Sequence, residues 1–212
     1  MYDKILFVDF DGTITAEDTL DGSLRLFVPQ EEYDKNLKEM TQGRLTLRDA
    51  VNQVFDHTPS SRFPEMMEYV RKVPIRDGFP EFLDEMEALG IPVVVISGGL
   101  RQLLEEKIGK YRDRFLGMHY VDLDISGEYM KMVSDYDDGK EVLKKTDIMA
   151  QYDYKTAICI GDSYTDLNMA AASDIVFARD ILAAYLKSEG KPFIPWNDFY
   201  DVIKALTKEV GK

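Results

Sequence analysis

The sequence predicts an α/β protein: an open parallel sheet flanked by helices, with an inserted helical domain and a β-hairpin on one edge. Three observations predict it. Four short apolar runs rich in β-branched residues read as strands buried on both faces, as in a parallel sheet. They are Ile5-Leu6-Phe7-Val8, Val93-Val94-Val95-Ile96, Ala157-Ile158-Cys159-Ile160 and Ile175-Val176-Phe177. Helical apolar patterns lie between these runs, which is the alternation of an α/β sheet. Between the first two runs, roughly sixty residues carry no strand-like run, too many for a simple crossover.

Taken in order, the first strand ends at Asp9-Phe10-Asp11-Gly12-Thr13. The insert that follows, residues 16–77, shows four amphipathic stripes: Leu20/Leu24/Phe27/Val28, Tyr33/Leu37/Met40, Leu47/Val51/Val54/Phe55 and Phe63/Met66/Met67/Val70. Breaks fall at Pro29, at Gly43 and at Thr58-Pro59-Ser60-Ser61, and Thr46 with Asp49 three residues on marks a helix start. Residues 1–15 and 78–212 then form the α/β core. Phe79, Phe82, Leu83 and Met86 make the helix before the second strand, and Leu100, Leu103, Leu104 and Ile108 the helix after it. From Tyr120 to Ser134, alternating segments around Ser126-Gly127-Glu128 read as the edge hairpin. Phe199, Val202, Ile203 and Leu206 close the chain as a helix.

The chain has 212 residues, 45% apolar and 31% charged, enough for a sizeable core without disulfides. Its 26 basic and 39 acidic residues sum to −13, which argues against nucleic acid or an anionic membrane as partner. An anionic substrate therefore needs a local reversal of field, from a metal, lysines or backbone N–H groups. The single cysteine, Cys159, fits a reducing compartment and reads as a core residue. No signal-peptide pattern and no membrane-length apolar run are visible, so the expectation is a cytoplasmic monomer or small homo-oligomer.

The chemistry gathers where the strands end. Asp9 and Asp11 follow the first run, Ser97-Gly98-Gly99 the second, and Gly161-Asp162-Ser163-Tyr164-Thr165-Asp166 the third. Any one of them alone reads as a turn. In an open parallel sheet all three converge beyond the carboxyl ends of the strands, where ligands bind. Carboxylates without a His or Cys cluster point to a hard cation, with Mg2+ expected. Gly98 and Gly99 let backbone N–H groups approach an anion, and a helix starting at Leu100 favours negative charge. Phosphoryl chemistry on a small phosphate ester is the inference. A lysine at a helix start is badly placed for the helix dipole; Lys140 is so placed, although Lys144 and Lys145 stand close by.

Asp9-Phe10-Asp11-Gly12-Thr13-Ile14-Thr15, Ser97-Gly98-Gly99, Lys140, and Gly161-Asp162 with Asp166 resemble, in order, the four motifs of haloacid dehalogenase (HAD) superfamily phosphatases. The insert resembles the helical C1 cap of the phosphoserine phosphatase group. Thr58-Pro59-Ser60-Ser61, Ile75-Arg76-Asp77-Gly78-Phe79, Phe177-Ala178-Arg179-Asp180 and Asp198-Phe199-Tyr200 are similar to segments of the 2-hydroxy-3-keto-5-methylthiopentenyl-1-phosphate phosphatase family of methionine salvage. The resemblance implies a HAD-like fold and a phosphoric monoester hydrolase. Asp9 would be the nucleophile, and Asp11 would protonate the leaving oxygen and then activate water. Mg2+ would be held by Asp9, the backbone carbonyl of Asp11 and Asp162, with Asp166 orienting Lys140 or a metal-bound water. Ser97 and the N–H of Gly98 would bind phosphate, and Lys140 would add charge.

Substrate contacts from the insert are expected at Asp18 and Arg48. Asp18 stands where phosphoserine phosphatases usually carry Glu, and it reads equally well as the N-cap of the helix at Leu20. Arg44, Arg76 and Arg179 are further anion candidates. His57 and His119 read as structural, and Met66-Met67 as core of the insert. Three alternatives remain: a phosphoserine phosphatase, a phosphotransferase using the same aspartyl chemistry, and a non-catalytic binding protein on the same fold.

Overall fold

Ile5, Leu6, Phe7 and Val8 have no exposed surface, and the strand they form lies at the centre of the sheet. The structure, a computed structural model, describes residues 1–134 and 142–210. Among these, seven strands run β1 (Tyr2–Val8), β2 (Val93–Leu100), β3 (Gly117–Asp124), β4 (Lys131–Val133), β5 (Tyr154–Gly161), β6 (Ile175–Ala178) and β7 (Ile194–Pro195). Their order in the sheet is β4-β3-β2-β1-β5-β6-β7, all parallel except β4, which pairs antiparallel with β3. The chain builds outward from β1 through β2 and β3, then returns to lay β5 on the other flank of β1. That reversal opens a crevice beyond the carboxyl ends of β1, β2 and β5.

The helices are α1 (Thr19–Arg25), α2 (Gln30–Thr41), α3 (Leu47–Phe55), α4 (Phe63–Lys72), α5 (Phe79–Ala88), α6 (Arg101–Ile108), α7 (Lys145–Met149), α8 (Leu167–Ala171), α9 (Asp180–Ser188) and α10 (Phe199–Val210). No helix of the described residues is long and apolar enough to cross a membrane. Helices α1 to α4 lie between β1 and the helix that precedes β2. Thr46 caps α3, its hydroxyl accepting from Asp49 N–H at 3.0 Å. The segments leading into and out of this helical stretch pair with each other: Thr15 faces Ile75, Ala16 N–H donates to Pro74 O at 2.9 Å, and Arg76 N–H to Ile14 O at 2.8 Å. Farther out, Ser60 N–H donates to Glu128 O at 2.9 Å and Met130 N–H to Thr58 O at 3.0 Å, tying the α3–α4 turn to the β3–β4 hairpin.

Three stripes of the insert are buried as the periodicity predicts, with Leu20, Leu24, Val51, Val54, Phe55, Met66, Met67 and Val70 in the same apolar cluster as the sheet residues. The stripe of α2 is not: none of its residues is buried and Leu37 is exposed, with α2 packing lightly on α3 and Tyr33 bonded to Asp21 and Arg25 of α1. The edge hairpin is present, but β3 is more than a hairpin arm. Its first half pairs parallel with β2, and only Asp122, Leu123 and Asp124 pair with β4. Strand β2 also runs on through Ser97-Gly98-Gly99, so that Leu100 is the N-cap of α6 and not its first turn.

Candidate active site

The β1 ladder continues to Asp9, whose N–H donates to Ile160 O at 3.0 Å, and then the chain turns sharply. Gly12 makes the turn at φ +74°, and a Cβ there would lie 2.5 Å from the Asp162 carboxylate. Only glycine meets both demands. Phe10 and Ile14 are driven into the core on either side. Burial of these two apolar anchors leaves Asp9, itself 4% exposed, fixed at the end of the central strand.

Asp11 bonds to the start of α1. One carboxylate oxygen accepts from Thr19 N–H at 2.9 Å, from Leu20 N–H at 3.3 Å and from the Thr19 hydroxyl. The other lies where a side chain at position 99 would stand, 2.1 Å from the place of a Gly99 Cβ. Burial, reinforced by the charge of Asp18, pushes the Asp11 carboxyl well above the ordinary carboxylate range, against the opposing pull of Thr19. Such a shift favours the protonated form, which can donate its proton. Ser97 is buried at the end of β2, its hydroxyl accepting from Gly99 N–H at 2.8 Å.

Asp162 and Asp166 arrive on the loop after β5. The hydroxyl of Thr13 donates to Asp162 Oδ1 at 2.9 Å. Asp166 Oδ2 accepts from the N–H groups of Asp162 and Ser163 at 3.0 and 3.1 Å. Asp9, Asp162 and Asp166 thereby bring carboxylate oxygens within 4.8 Å of one another. Burial and the Asp166 charge push Asp9 up to about 7, and burial with the charges of Asp9 and Asp166 pushes Asp162 up to about 8. Like charges this close disfavour ionisation, and a hard divalent cation would relieve them with the oxygen donors it prefers. The donor set fits Mg2+.

The lysine found with these acids is Lys145. Its Nζ lies 2.5 Å from Asp9 Oδ1 and 2.7 Å from Asp166 Oδ1, with 2% of the side chain exposed. Burial alone would lower its pKa, but the charges of Asp166 and Asp9 overcome this and hold it above the ordinary lysine range. Lys140 lies outside the described residues. A sequence signal for Lys145 existed: it stands three and four residues before Ile148 and Met149, both buried, so helical spacing puts it on the inner face of α7. It also opens a helix, the position at which the dipole disfavours a cation.

The insert residues fall differently. Asp18 is the N-cap of α1, accepting from Asp21 N–H at 2.7 Å. It touches solvent, yet the protein crowded around it pushes its carboxyl up to about 6. Arg48 lies in the first turn of α3, 3.5 Å from the neighbouring Asp49 carboxylate. Arg44 pairs with Glu39 on the surface. Gly98 stays partly accessible on the site side of β2, whereas Cys159 is fully buried within β5. His119 shares a hydrogen bond with the Tyr152 hydroxyl at 2.7 Å.

Arg76 acts on the loop without reaching the acids. Its guanidinium donates to Gly12 O at 2.5 Å, Thr13 O at 2.9 Å and Thr15 O at 3.2 Å. It also lies over Trp196, 5.5 Å from the ring centroid. A planar fork of donors can satisfy several carbonyls at once, which a point ammonium cannot. Arg76→Lys is therefore expected to cost about 2 kcal/mol of stability, read as a fall of roughly 4–8 °C in Tm. An unchanged Tm would mean the clamp is ornamental to the loop.

Comparison with known proteins gives a consistent picture. The sequence model of a family described as haloacid dehalogenase-like hydrolase matches residues 6–171. A protein of Microcystis aeruginosa (strain NIES-843 / IAM M-2473) named 2-hydroxy-3-keto-5-methylthiopentenyl-1-phosphate phosphatase is 39% identical over 205 residues, 96% of this chain and 97% of that one. One of the same name from Lysinibacillus sphaericus (strain C3-41) is 31% identical, covering 95% and 94%. Among solved structures, a substrate-bound phosphoserine phosphatase complex superposes with a TM-score of 0.70 at 18% identity, over 97% of this chain and 99% of that one. The phosphoserine phosphatase from T. onnurineus gives 0.69 at 17%, over 96% and 94%. At these identities the structures show a common fold.

Proposed function

Because the chain belongs to the haloacid dehalogenase-like hydrolase family, we propose that it is a Mg2+-dependent phosphatase acting through an aspartyl phosphate on 2-hydroxy-3-keto-5-methylthiopentenyl-1-phosphate. The chain is a phosphoric monoester hydrolase by its kinship with the proteins named above. The substrate is taken from their shared name. The observation that carries the chemistry is the buried Asp9 carboxylate, oriented by Lys145 and set within 4.8 Å of the Asp162 and Asp166 oxygens.

Asp9 attacks phosphorus, and the bond to the ester oxygen breaks. Asp11 gives that oxygen its proton, then takes one from the water that cleaves the aspartyl phosphate. Phosphate leaves and Asp9 is restored. Lys145 keeps Asp9 in line and offsets negative charge at phosphorus, the second of these being the role expected of Lys140 from the sequence. Ser97 and the Gly98 N–H hold phosphate oxygens. Asp9, Asp162, Asp166 and the Asp11 carbonyl would hold Mg2+, which supplies charge neutralisation between nucleophile and phosphate. Residues 16–77 act as a cap hinged at the Thr15–Ile75 pair, shielding the intermediate from bulk water.

The test is phosphate release from the salvage ester and from phosphoserine, each with Mg2+ and with EDTA. The expected result is a salvage-ester kcat/KM at least about tenfold higher, the scale of one or two methylene contacts, and loss of both activities on chelation. Phosphoserine as the better substrate would overturn the substrate assignment, and full activity after exhaustive chelation the metal assignment.

The raised carboxyls also set a pH dependence. A protonated carboxyl cannot ligate, so Mg2+ binding releases the protons held by Asp162 below about 8 and Asp9 below about 7. Lowering pH through 8 and then 7 therefore weakens Mg2+ binding, by up to about tenfold per pH unit for each proton released. In the metal-free protein the same shifts favour folding below the ordinary carboxyl range and lose that contribution as pH rises towards 8. Calorimetric titration between pH 5.5 and 9 checks the slope; a flat profile would remove these two acids as ligands.

A further inference from the structure

We infer that the cavity between the start of α3, the end of β2 and the turn after β5 is an apolar subsite that takes the hydrocarbon end of the ester's leaving group, with Leu47 and Tyr164 setting the preference. This rests on the phosphatase reading above. The cavity holds about 200 Å³ and borders the site, since Gly98 and Lys145 are among its lining residues. Leu47 faces it from the insert, Val142 and Leu143 from the core, and Tyr164 from the rim. At about 30 Å³ for each heavy atom, as for a water, there is room for roughly six.

Local structure explains why apolar groups stand there. Leu47 is the first residue of α3, fixed by the Thr46 cap. Ser163 and Asp166 form a capping box around the single turn Tyr164–Asp166. The box draws Asp166 inward to complete exposure loss and leaves Tyr164 63% exposed. A large aromatic side chain held in water beside a reacting centre gains contacts when an apolar group fills the cavity. Thr165 and Asn168 complete the wall with uncharged polar groups. Among the described lining residues Lys145 is the one charged group, and Asp9 and Asp166 already share its ammonium. An ionised tail entering here loses water and gains no partner, whereas a methylene or thioether loses nothing.

The test uses n-alkylphosphonates of one to six carbons, which bind without turning over, titrated calorimetrically with Mg2+ present. Each added methylene is expected to tighten binding about fourfold until the cavity is full. 2-Aminoethylphosphonate is expected to bind at least about tenfold more weakly than propylphosphonate. Leu47→Ser and Tyr164→Ala are each expected to cut the increment to about twofold or less. The unmodified protein decides the matter without either variant: affinity that does not change with chain length overturns the subsite, as does an increment untouched by both substitutions. Phosphate release from the matching n-alkyl phosphates is measured in parallel. Release with a flat phosphonate series refutes the subsite and leaves the phosphatase; a steep series without release keeps the subsite and refutes the phosphatase.

Discussion

Asp9→Asn is expected to abolish turnover, by at least about 10⁴-fold in kcat, while the protein still folds and still binds phosphonates. The amide is nearly isosteric with the carboxylate, so the anchors on either side, Phe10 and Ile14, hold the loop as before. What disappears is the nucleophilic oxygen. Asn also removes one negative charge from a cluster in which Asp9, Asp162 and Asp166 crowd together, which lessens like-charge repulsion. Loss of activity with an unchanged or higher Tm is thus the signature of a nucleophile here, as opposed to a structural acid. Substantial turnover in the purified variant, with contamination excluded, takes Asp9 out of that role. Asp11→Asn makes the contrast: a substrate with a good leaving group still phosphorylates Asp9, and hydrolysis of the aspartyl phosphate slows.

Lys145→Met is expected to be the most destabilising single change in the site. It leaves the Asp9 and Asp166 carboxylates buried without their shared cation. Breaking a buried pair in this way costs about 3–5 kcal/mol, or roughly 10 °C in Tm for a chain of this size. The loss is smaller at pH 5.5 than at pH 8, because without Lys145 the buried Asp9 carboxyl is raised still further and takes up a proton in the cation's place as pH falls. Turnover falls by about 10²–10³-fold or more, as for other preorganised charges at a reacting centre. Lys140→Ala is the matched control, with an expected loss below about tenfold. The reverse ranking of the two lysines would return the role to Lys140.

The buried runs of the sheet, the helical stripes between the first two of them and the acids that follow the strands were legible in the sequence. Each is written in local terms. Continuous apolar runs mark strands covered on both faces, Thr46 with Asp49 marks a helix start, and Asp9, Asp11, Ser97 and Asp162 interrupt patterns that a plain strand or turn would complete. The parallel topology then brings those ends together without further information. The short pieces were less legible. Strand β7 has two residues, and β3 gives its two halves to different neighbours, so neither shows a clean period. Helix α2 has an apolar stripe that stays unburied, because a stripe states what a helix could bury and not what stands opposite.

Tertiary structure brings Lys145 against Asp9. Lys140, Lys144 and Lys145 differ little as residues, and an ammonium on a four-carbon stem can point almost anywhere until packing fixes it. Burial of Ile148 and Met149 turns one face of α7 inward, and Lys145 is carried with it between Asp9 and Asp166. The same holds for Asp11. Its type was readable, but its hold on the start of α1 depends on Thr19, a residue that carries no chemical signal of its own. Arg76 was one arginine among several until the pairing of Ile75 with Thr15 set its guanidinium against the carbonyls of the loop. Sequence determined which groups are reactive, since that is a property of each side chain and its neighbours along the chain. Structure decided which of them act together, since distances of a few ångströms between residues 136 positions apart, as for Asp9 and Lys145, exist only after the core has closed.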